Sequence, residues 1–501
     1  MITLLAILAA IQALGVTPGL AATPLAPSHE AAWQNGFQIF NSIHSAMRQW
    51  GSSLNHNGMA FIPVTIPRGS LFYHGTHRNR TAGPPSGPEW LAFEIEHSEG
   101  FAFSQRFNDT DLDGEHVLDV PTYPGPGSQV VLGRSPDEGI HHISSEKAIR
   151  GYLHTYRANR DLKLLYVDGS SAGKSTMGTL DTQDMVLRSL NDSCDGKPAW
   201  DERDRAEDLC NLVSAWGYDG IVRMEIGFEI IYCNFSSGLD LLSMLRRPFF
   251  GQPGGGAEPA RFIFQFARAI TQRYDGFDSN RVKLDFSRMV SAYFYPVNLT
   301  NPNPEARELP RLSSTTSTER KAIRSRVIEN SPQDASPSIE WQSIVDMIVS
   351  RYRDRLAMMI SPSVNPDRFI QEIFEVTNTH VEYPETPEDI NSESHAVGDN
   401  DDLQRCITHY LQPTYPFQDS FTQEDKLIHT AIMAVTTRVC EALFNARKLI
   451  RDAYLHFYQN PEHAEHLGST GFIPEVAQRS QKLIIELAND LQWTDWNKCR
   501  G

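Results

Sequence analysis

A long apolar stripe near the C-terminus most constrains what this chain can fold into. Between Asp425 and Phe457, apolar residues recur at steps of three and four, the spacing of one helix face. The stripe consists of Ile428, Ile432, Val435, Val439, Leu443, Ala446, Ile450, Tyr454 and Phe457. Such a face must be buried against other elements for the helix to be stable in water. The stripe therefore predicts a helical core in this part of the chain.

Length and charge limit the classes of protein that remain. A chain of 501 residues with 40% hydrophobic and 21% charged residues is typical of a soluble globular protein, and its length suits two or three domains. The net charge of −17 disfavours nucleic acids and anionic membranes, because affinity for them comes mainly from clustered Lys and Arg. No nucleic-acid partner is expected.

The N-terminus resembles a secretory signal. The first 29 residues contain no Asp, Glu, Lys or Arg, and an apolar core ends before small residues suited to cleavage near residue 22. Gln12, Thr17 and Pro18 interrupt this apolar segment, whereas a membrane span needs about 20 apolar residues. We predict that residues 1–22 are a signal peptide, that the protein is secreted, and that no membrane span remains after its removal.

Sequons and cysteines fit the same route. Five Asn-x-Ser/Thr sites could carry glycans: Asn79, Asn108, Asn191, Asn234 and Asn298. Six cysteines permit fifteen pairings in an oxidising compartment: Cys194, Cys210, Cys233, Cys406, Cys440 and Cys499. The sequence contains no CxxC spacing, so it gives no indication of a zinc ribbon. Of the possible bridges we favour Cys406 with Cys440, inside the helical half.

Local patterns suggest the order of elements. Apolar residues at helical spacing predict a helix from Glu30 to about Ser53, and residues 107–139 read as a long surface loop. The segment DERDRAEDLCNLVSAWGYDG predicts a helix closed by Gly217. The segment IVRMEIGFEIIYCNF predicts two short strands around Gly227.

A glycine-rich segment divides the chain. GQPGGGAEPA, residues 251–260, holds four glycines and two prolines and predicts a linker. We therefore predict an α+β domain over residues 28–250. An α-helical domain with mobile insertions then follows over residues 261–501.

Three stretches of the first half together resemble a known fold. LFYHGT, EWLAFEIEHSEGFAF and GYDGIVRMEIGFEIIY occur in this order between residues 71 and 232. They are similar to the motifs of ADP-ribosyltransferases of the poly-ADP-ribose polymerase and diphtheria-toxin type. The resemblance implies a split antiparallel sheet with helices, with NAD as the substrate and an unknown protein or small molecule as the acceptor.

The resemblance also implies roles for individual residues. His74, Gly75 and Thr76 match the tripeptide that holds the adenosine ribose of NAD in that family. Phe93 and Phe103 fall where aromatic rings enclose the nicotinamide, and Glu229 matches the catalytic glutamate. A carboxylate there stabilises the oxocarbenium-like transition state of nicotinamide release. The family's first stacking tyrosine falls at Ala92, so one aromatic wall would be missing.

A serine hydrolase is the first alternative. GSSAG, residues 169–173, has the G-x-S-x-G pattern and follows the apolar segment LKLLYVD, so Ser171 would be the nucleophile. The triad acid and histidine stay open, with Asp219 and His380 as candidates. The same stretch, GSSAGKST, has three residues between its glycines where a phosphate-binding loop needs four.

Further alternatives rest on weaker features. NDTDLDGE resembles the start of a calcium loop, but Val120 replaces its twelfth-position glutamate, so no metal site is predicted. The block LLYVDGSSAGKSTMGTLDTQD resembles a group of uncharacterised ascomycete proteins. That resemblance leaves open a biosynthetic enzyme such as an arginine-containing cyclodipeptide synthase. A non-catalytic secreted effector on a decayed transferase fold is the last alternative.

Overall fold

The computed structural model describes most of the chain between Leu25 and Trp493. The described residues are 25–49, 51, 57–76, 84–102, 104–106, 148–175, 177–190, 202–248, 281–332, 339–383, 395–459 and 472–493. Several predictions therefore lie outside the described residues: the signal peptide, the 107–139 loop, the linker at 251–260, Phe103, Cys194, Cys499 and the sequons at Asn79, Asn108 and Asn191.

Strands dominate the first half of the described chain. In chain order they are β1 (Asn57–Ile66), β2 (Leu71–Thr76), β3 (Glu89–Ala92), β4 (Gln105–Arg106), β5 (Ala148–Ile149), β6 (Tyr152–Ala158), β7 (Leu162–Gly169), β8 (Gly220–Met224), β9 (Phe228–Tyr232), β10 (Leu239–Arg246), β11 (Lys283–Leu284) and β12 (Val290–Ser291). Within this part of the chain, ten of them form one sheet in the order β10-β6-β2-β3-β9-β8-β7-β1-β11, with β12 also paired to β1. The strands β4 and β5 pair separately.

The sheet is mainly antiparallel, with one exception. Strands β7 and β8 are parallel, and parallel strands need a crossover connection. The crossover here contains a π-helical turn (Thr182–Leu187) and a longer helix (Glu202–Ala215). The α+β class is confirmed, but this parallel pair departs from the fully antiparallel sheet expected from the sequence.

Helices dominate the second half. In chain order the α-helices are α1 (His29–Gln34), α2 (Gly36–Ser45), α3 (Ile95–Glu99), α4 (Glu202–Ala215), α5 (Ser317–Glu329), α6 (Trp341–Met359), α7 (Pro366–Thr377), α8 (His395–Thr408), α9 (Gln423–Gln459) and α10 (Phe472–Leu491). Helix α9 contains the apolar stripe, and the stripe residues from Ile428 to Ile450 are buried. It contacts α1, α2, α7, α8 and α10, which confirms the helical assembly.

Helix α9 also has the dimensions of a membrane span. Residues Gln423–Leu455 are long and apolar enough to cross a membrane, but more than half of their most apolar part is buried inside the protein. A core helix of a globular protein has these same properties. Length and composition alone are therefore weak evidence for a span.

The two halves of the chain share elements. Strands β11 and β12, beyond residue 260, pair with β1 of the first half. Helices α1 and α2, near the N-terminus, pack on α9. One continuous cluster of buried apolar residues includes members from both halves.

The first predicted helix is interrupted. In place of one helix from Glu30 to about Ser53, the structure has α1 and α2, which meet at Asn35 and end at Ser45. The Asn35 side chain donates a hydrogen bond to the Tyr293 carbonyl oxygen, and Met47 adopts a positive φ of 56°. These tertiary and backbone features end a segment whose apolar spacing alone predicts continuity.

Other local predictions are confirmed. Helix α4 ends just before Gly217, whose φ of +88° suits glycine far better than other residues. Strands β8 and β9 are the two short strands expected around Gly227, and they pair as an antiparallel hairpin. A disulfide joins Cys406 to Cys440, the pairing favoured from the sequence. A second joins Cys210 to Cys233, which the sequence had left open. Both bridges are compatible with a secreted protein.

Candidate functional site

Three neighbouring strands bring the predicted site residues together. In the register of the sheet, Ala92 of β3 lies opposite Tyr73 of β2 on one side and opposite Glu229 of β9 on the other. His74 and Glu229 are separated by 155 positions in sequence, yet their strands are separated only by β3. The fold therefore places the strands of these two residues on either side of β3.

A small cavity lies at this place. Its volume is about 30 Å³, comparable with that of one water molecule. Its lining comprises His74, Gly75, Glu89, Trp90, Leu91, Ala92, His97, Ser98, Phe101 and Glu229. His74, Gly75 and Glu229 thus border the same cavity, whereas Thr76 and Phe93 are not among its lining residues.

The register separates the side chains of His74 and Glu229. Directly opposed residues of antiparallel strands project to the same face of a sheet, so Tyr73, Ala92 and Glu229 share a face, which we name the cavity face. His74 follows Tyr73 and projects to the other face. There its ring centroid lies 5.5 Å from that of His154 and 5.8 Å from that of Phe235.

His74 helps to join β2 to β3. Tyr73 and Ala92 are the paired residues in the register of these strands, and the His74 Nδ1 lies 2.8 Å from the Trp90 carbonyl oxygen. Nearby, Phe93 is buried edge-on against Phe72, with ring centroids 5.4 Å apart. In this arrangement His74 and Phe93 serve packing on the far face, and they present no side chain beside Glu229.

Gly75 is required by the close approach of α3. A Cβ atom at this position would lie 1.9 Å from the carbonyl oxygen of Ser98, a backbone atom that cannot rotate away. Helix α3 therefore covers this end of β2 only because residue 75 has no side chain. The glycine of LFYHGT thus has a packing role next to the cavity.

Two aromatic residues line the cavity, Trp90 and Phe101. Neither was predicted from the sequence as a site residue. Trp90 precedes Ala92 by two residues and so projects to the cavity face, while Phe101 follows α3. Trp90 is 8% exposed, and no described residue accepts a hydrogen bond from its Nε1. A ring and an available donor therefore lie in the wall where the expected tyrosine is replaced by Ala92.

Glu229 is buried at the cavity and has charged and polar neighbours. It is the acidic residue of a strand whose five members are all buried. Its Oε1 accepts a hydrogen bond from the Arg223 Nε at 2.8 Å, and its Oε2 lies 3.9 Å from the His97 Nε2. Burial raises the pKa of Glu229, an effect that Arg223 partly opposes. Burial also lowers the pKa of His97 to about 4, so His97 is neutral at pH 7.

Arg223 is the centre of a larger buried charge network. It donates hydrogen bonds to Glu202 of α4 and to Gln183 of the π-helical turn. Burial alone would raise the pKa of Glu202, but Arg223, Lys174 and Arg205 outweigh it and lower this pKa to about 2. The charges therefore compensate one another inside the protein, as buried ions must.

The network continues away from the cavity. Arg205 pairs with both carboxylate oxygens of Asp184 at 2.9 Å. Lys174 lies 3.2 Å from a Glu225 carboxylate oxygen. Sequence reasoning missed this network, because DERDRAED has the composition of a solvated helix surface. The one available signal was Arg223, a charge inside the apolar run of GIVRM.

The GSSAG stretch is hydrogen-bonded to the same buried network. Ser171 is fully buried, and its Oγ donates a hydrogen bond to the Val167 carbonyl oxygen at 2.6 Å. The Ser171 carbonyl oxygen accepts from Gln183, which in turn accepts from Arg223. A nucleophile elbow instead exposes its serine Oγ, so this geometry does not favour the hydrolase.

Metal binding finds no support in the described part of the chain. No group of three or more His, Cys, Asp and Glu side chains there is arranged to hold a metal ion.

Comparison with known proteins points to a fungal group. Residues 29–129 and 122–250 match the family model described as the YPL277C N-terminal domain. The chain is 25% identical to the uncharacterized protein YOR389W of Saccharomyces cerevisiae over 520 residues, which cover 93% of this chain and 79% of that protein. It is 28% identical to the uncharacterized protein YPL277C of the same yeast over 400 residues, or 69% of this chain and 79% of that protein.

These matches agree with the fungal kinship expected from residues 164–184. No solved structure matches the chain.

Proposed function

We propose that this protein is a secreted enzyme that cleaves NAD at its nicotinamide–ribose bond and transfers ADP-ribose, with Glu229 as its catalytic carboxylate. The observation that most supports this proposal is the position of Glu229 in the cavity lining. Its strand, β9, is paired with β3, and β3 is paired with β2. These strands contain the three motifs on which the resemblance rests. The acceptor is an unidentified protein or small molecule.

The chemistry of the cavity supports this reaction. Loss of nicotinamide leaves positive charge on the ribose, and a fixed carboxylate in a site shielded from water stabilises that charge strongly. Trp90 supplies a flat surface two residues from Ala92, and its Nε1 supplies a donor for a polar group of the substrate. Trp90 therefore takes the place of the missing tyrosine as a nicotinamide wall.

The size of the cavity sets a condition for binding. A cavity of about 30 Å³ is far smaller than the roughly 300–1,000 Å³ of common ligand pockets. Helix α3 lies against β2 and β3 and supplies His97 and Ser98 to the lining. Binding of NAD therefore requires α3 to move outward from the sheet.

The test combines NAD binding by calorimetry with a nicotinamide-release assay. Glu229→Gln should reduce turnover far more than binding, because a group acting on the transition state shows its loss in rate. Glu207→Gln is the control, since Glu207 is an exposed carboxylate that pairs with Arg203 and is not among the cavity-lining residues. Its turnover should remain close to that of the wild type.

The wall residue has its own pair of variants. Trp90→Ala should weaken NAD binding by up to about tenfold, the value of an aromatic stacking contact. Trp90→Phe keeps a ring and should recover part of the loss. Ser171→Ala should leave turnover intact, and activity lost with Ser171 but kept without Glu229 would indicate a serine hydrolase instead.

A non-catalytic effector is the second candidate. Ala92 in place of the family's tyrosine and the small cavity favour it. Absence of both NAD binding and nicotinamide release from the wild-type protein would establish this second candidate over the first.

A further inference from the structure

We propose that Arg223 is a positioning residue, which fixes the Glu229 carboxylate on the cavity face of the sheet. This inference rests on the proposed function, because it assigns a role toward the same carboxylate. Arg223 lies directly opposite Glu229 in the register of β8 and β9. The two side chains therefore project to the same face and meet there.

Arg223 is itself held by three separate elements. Its Nε donates to Glu229 of β9, its Nη1 to Gln183 of the π-helical turn, and its Nη2 to Glu202 of α4. The guanidinium is planar and rigid, so partners on three nitrogens fix both its position and its plane. Gln183 and Glu202 thus hold Arg223 from one side, and Arg223 can keep its third partner, the Glu229 carboxylate, in a fixed orientation during the reaction.

The bond to Arg223 leaves one carboxylate oxygen for chemistry. Arg223 binds Oε1 of Glu229 through a single N–H, whereas a bidentate pair would occupy both oxygens. The other oxygen, Oε2, lies on the side of His97, 3.9 Å from its Nε2. This arrangement orients Glu229 while keeping Oε2 available to a positive charge in the cavity.

Several charged groups face Glu229 from the surrounding elements. Arg223 and Lys174 favour its ionised form, whereas burial and Glu202 oppose it. Glu225 is likewise influenced by the charge of Glu229. Neutral His97 and the cavity-lining Glu89 complete this set. Arg223 is the partner that both contacts Glu229 directly and carries a charge at every accessible pH.

Arg205 provides a matched control. It is as fully buried as Arg223, and it shares Glu202 as a partner. It also donates two hydrogen bonds to Asp184, whereas the hydrogen bond to the Glu229 carboxylate comes from Arg223. A change at Arg205 therefore disturbs the same network without removing that hydrogen bond.

The experiment compares Arg223→Gln, Arg223→Lys and Arg205→Gln in the full chain. Arg223→Gln should lower kcat on the order of 100-fold with KM nearly unchanged, and it should move the acidic limb of the pH profile upward. Arg223→Lys should recover part of the rate. Arg205→Gln should lower the melting temperature comparably, yet leave the acidic limb where the wild type has it.

A second readout needs no turnover. The Glu229 carboxyl can be titrated by carbon-13 NMR and assigned by its absence in Glu229→Gln. A higher pKa of Glu229 in Arg223→Gln than in the wild type supports the inference even if the wild type cleaves no NAD, in which case only the proposed function fails. An unchanged pKa, or an equal rise in Arg205→Gln, would overturn the positioning role.

Discussion

Asp168, at the end of β7, should make stability depend on pH near neutrality. The carboxyl is buried, and its Oδ1 accepts hydrogen bonds from Tyr166 at 3.0 Å and from the Gly169 amide at 2.8 Å. The Ser42 side chain is a further hydrogen-bond partner of this carboxyl. Burial raises the pKa of Asp168 from 3.8 to about 6, although these hydrogen bonds work in the other direction.

The sign of the effect follows from that pKa. A folded-state pKa above the unfolded value means that the native state prefers protonated Asp168. The contribution of this protonation to the stability of the folded protein is therefore complete below about pH 4. It is lost as the pH rises through about 6. Each pKa unit corresponds to about 1.4 kcal/mol. The rise of the Asp168 pKa from 3.8 to about 6 should therefore make the free energy of unfolding roughly 3 kcal/mol lower well above pH 6 than below pH 4.

Asp168→Asn removes the charge and keeps an oxygen for Tyr166 and Gly169. We expect the variant to be more stable than the wild type at pH 7.5, by an amount up to about 3 kcal/mol, with no advantage at pH 4. Urea unfolding of both proteins across pH 4–8 measures this difference. A difference that stays constant with pH, or a less stable variant at pH 7.5, would refute the reasoning.

Three further outcomes are expected. Gly75→Ala should strongly lower the melting temperature, because its Cβ would overlap the Ser98 carbonyl oxygen at 1.9 Å; an unchanged melting curve would contradict the packing role of Gly75. Replacing Cys406 and Cys440 by serine should cost about 2–4 kcal/mol of unfolding free energy, and peptide mapping that finds both thiols free in the native protein would rule out the bridge. Asn234 and Asn298 are exposed, so endoglycosidase should increase the gel mobility of protein from its native host. The shift should shrink in Asn234→Gln and Asn298→Gln, and no shift at all would count against secretion.

Sequence patterns predicted the elements whose stability is decided locally. The stripe of α9, the hairpin around Gly227 and the helix end at Gly217 depend on spacing and backbone preference within a few residues. The broken helix at Asn35 and the parallel pairing of β7 with β8 depend on distant partners, which a single sequence does not display. The same applies to the faces of the sheet, because a shift of one position decides whether His74 projects toward Glu229 or away from it.

The buried charges are the clearest case of information that the sequence hides. Glu202 and Arg205 belong to a helix whose composition is that of a solvated surface, yet both are buried. An unpaired charge inside a protein is strongly unfavourable, whereas a charge with fixed partners is tolerated. Glu202 can be buried because Arg223 pairs with it, and Arg205 can be buried because Asp184 pairs with it. Both partners come from other segments of the chain.

Two motifs that suggest different functions in the sequence, GSSAG and the segment containing Glu229, are linked by hydrogen bonds in the structure. GSSAG competes with LFYHGT as a source of catalytic residues when each is considered alone. In the fold, the Ser171 carbonyl oxygen holds Gln183, Gln183 holds Arg223, and Arg223 holds Glu229. Lys174 of the same stretch pairs with Glu225 at the turn between β8 and β9. The polar groups of this loop are thus engaged in supporting the strand that carries Glu229, and this engagement explains why a sequence resembling a nucleophile elbow occurs beside a carboxylate site.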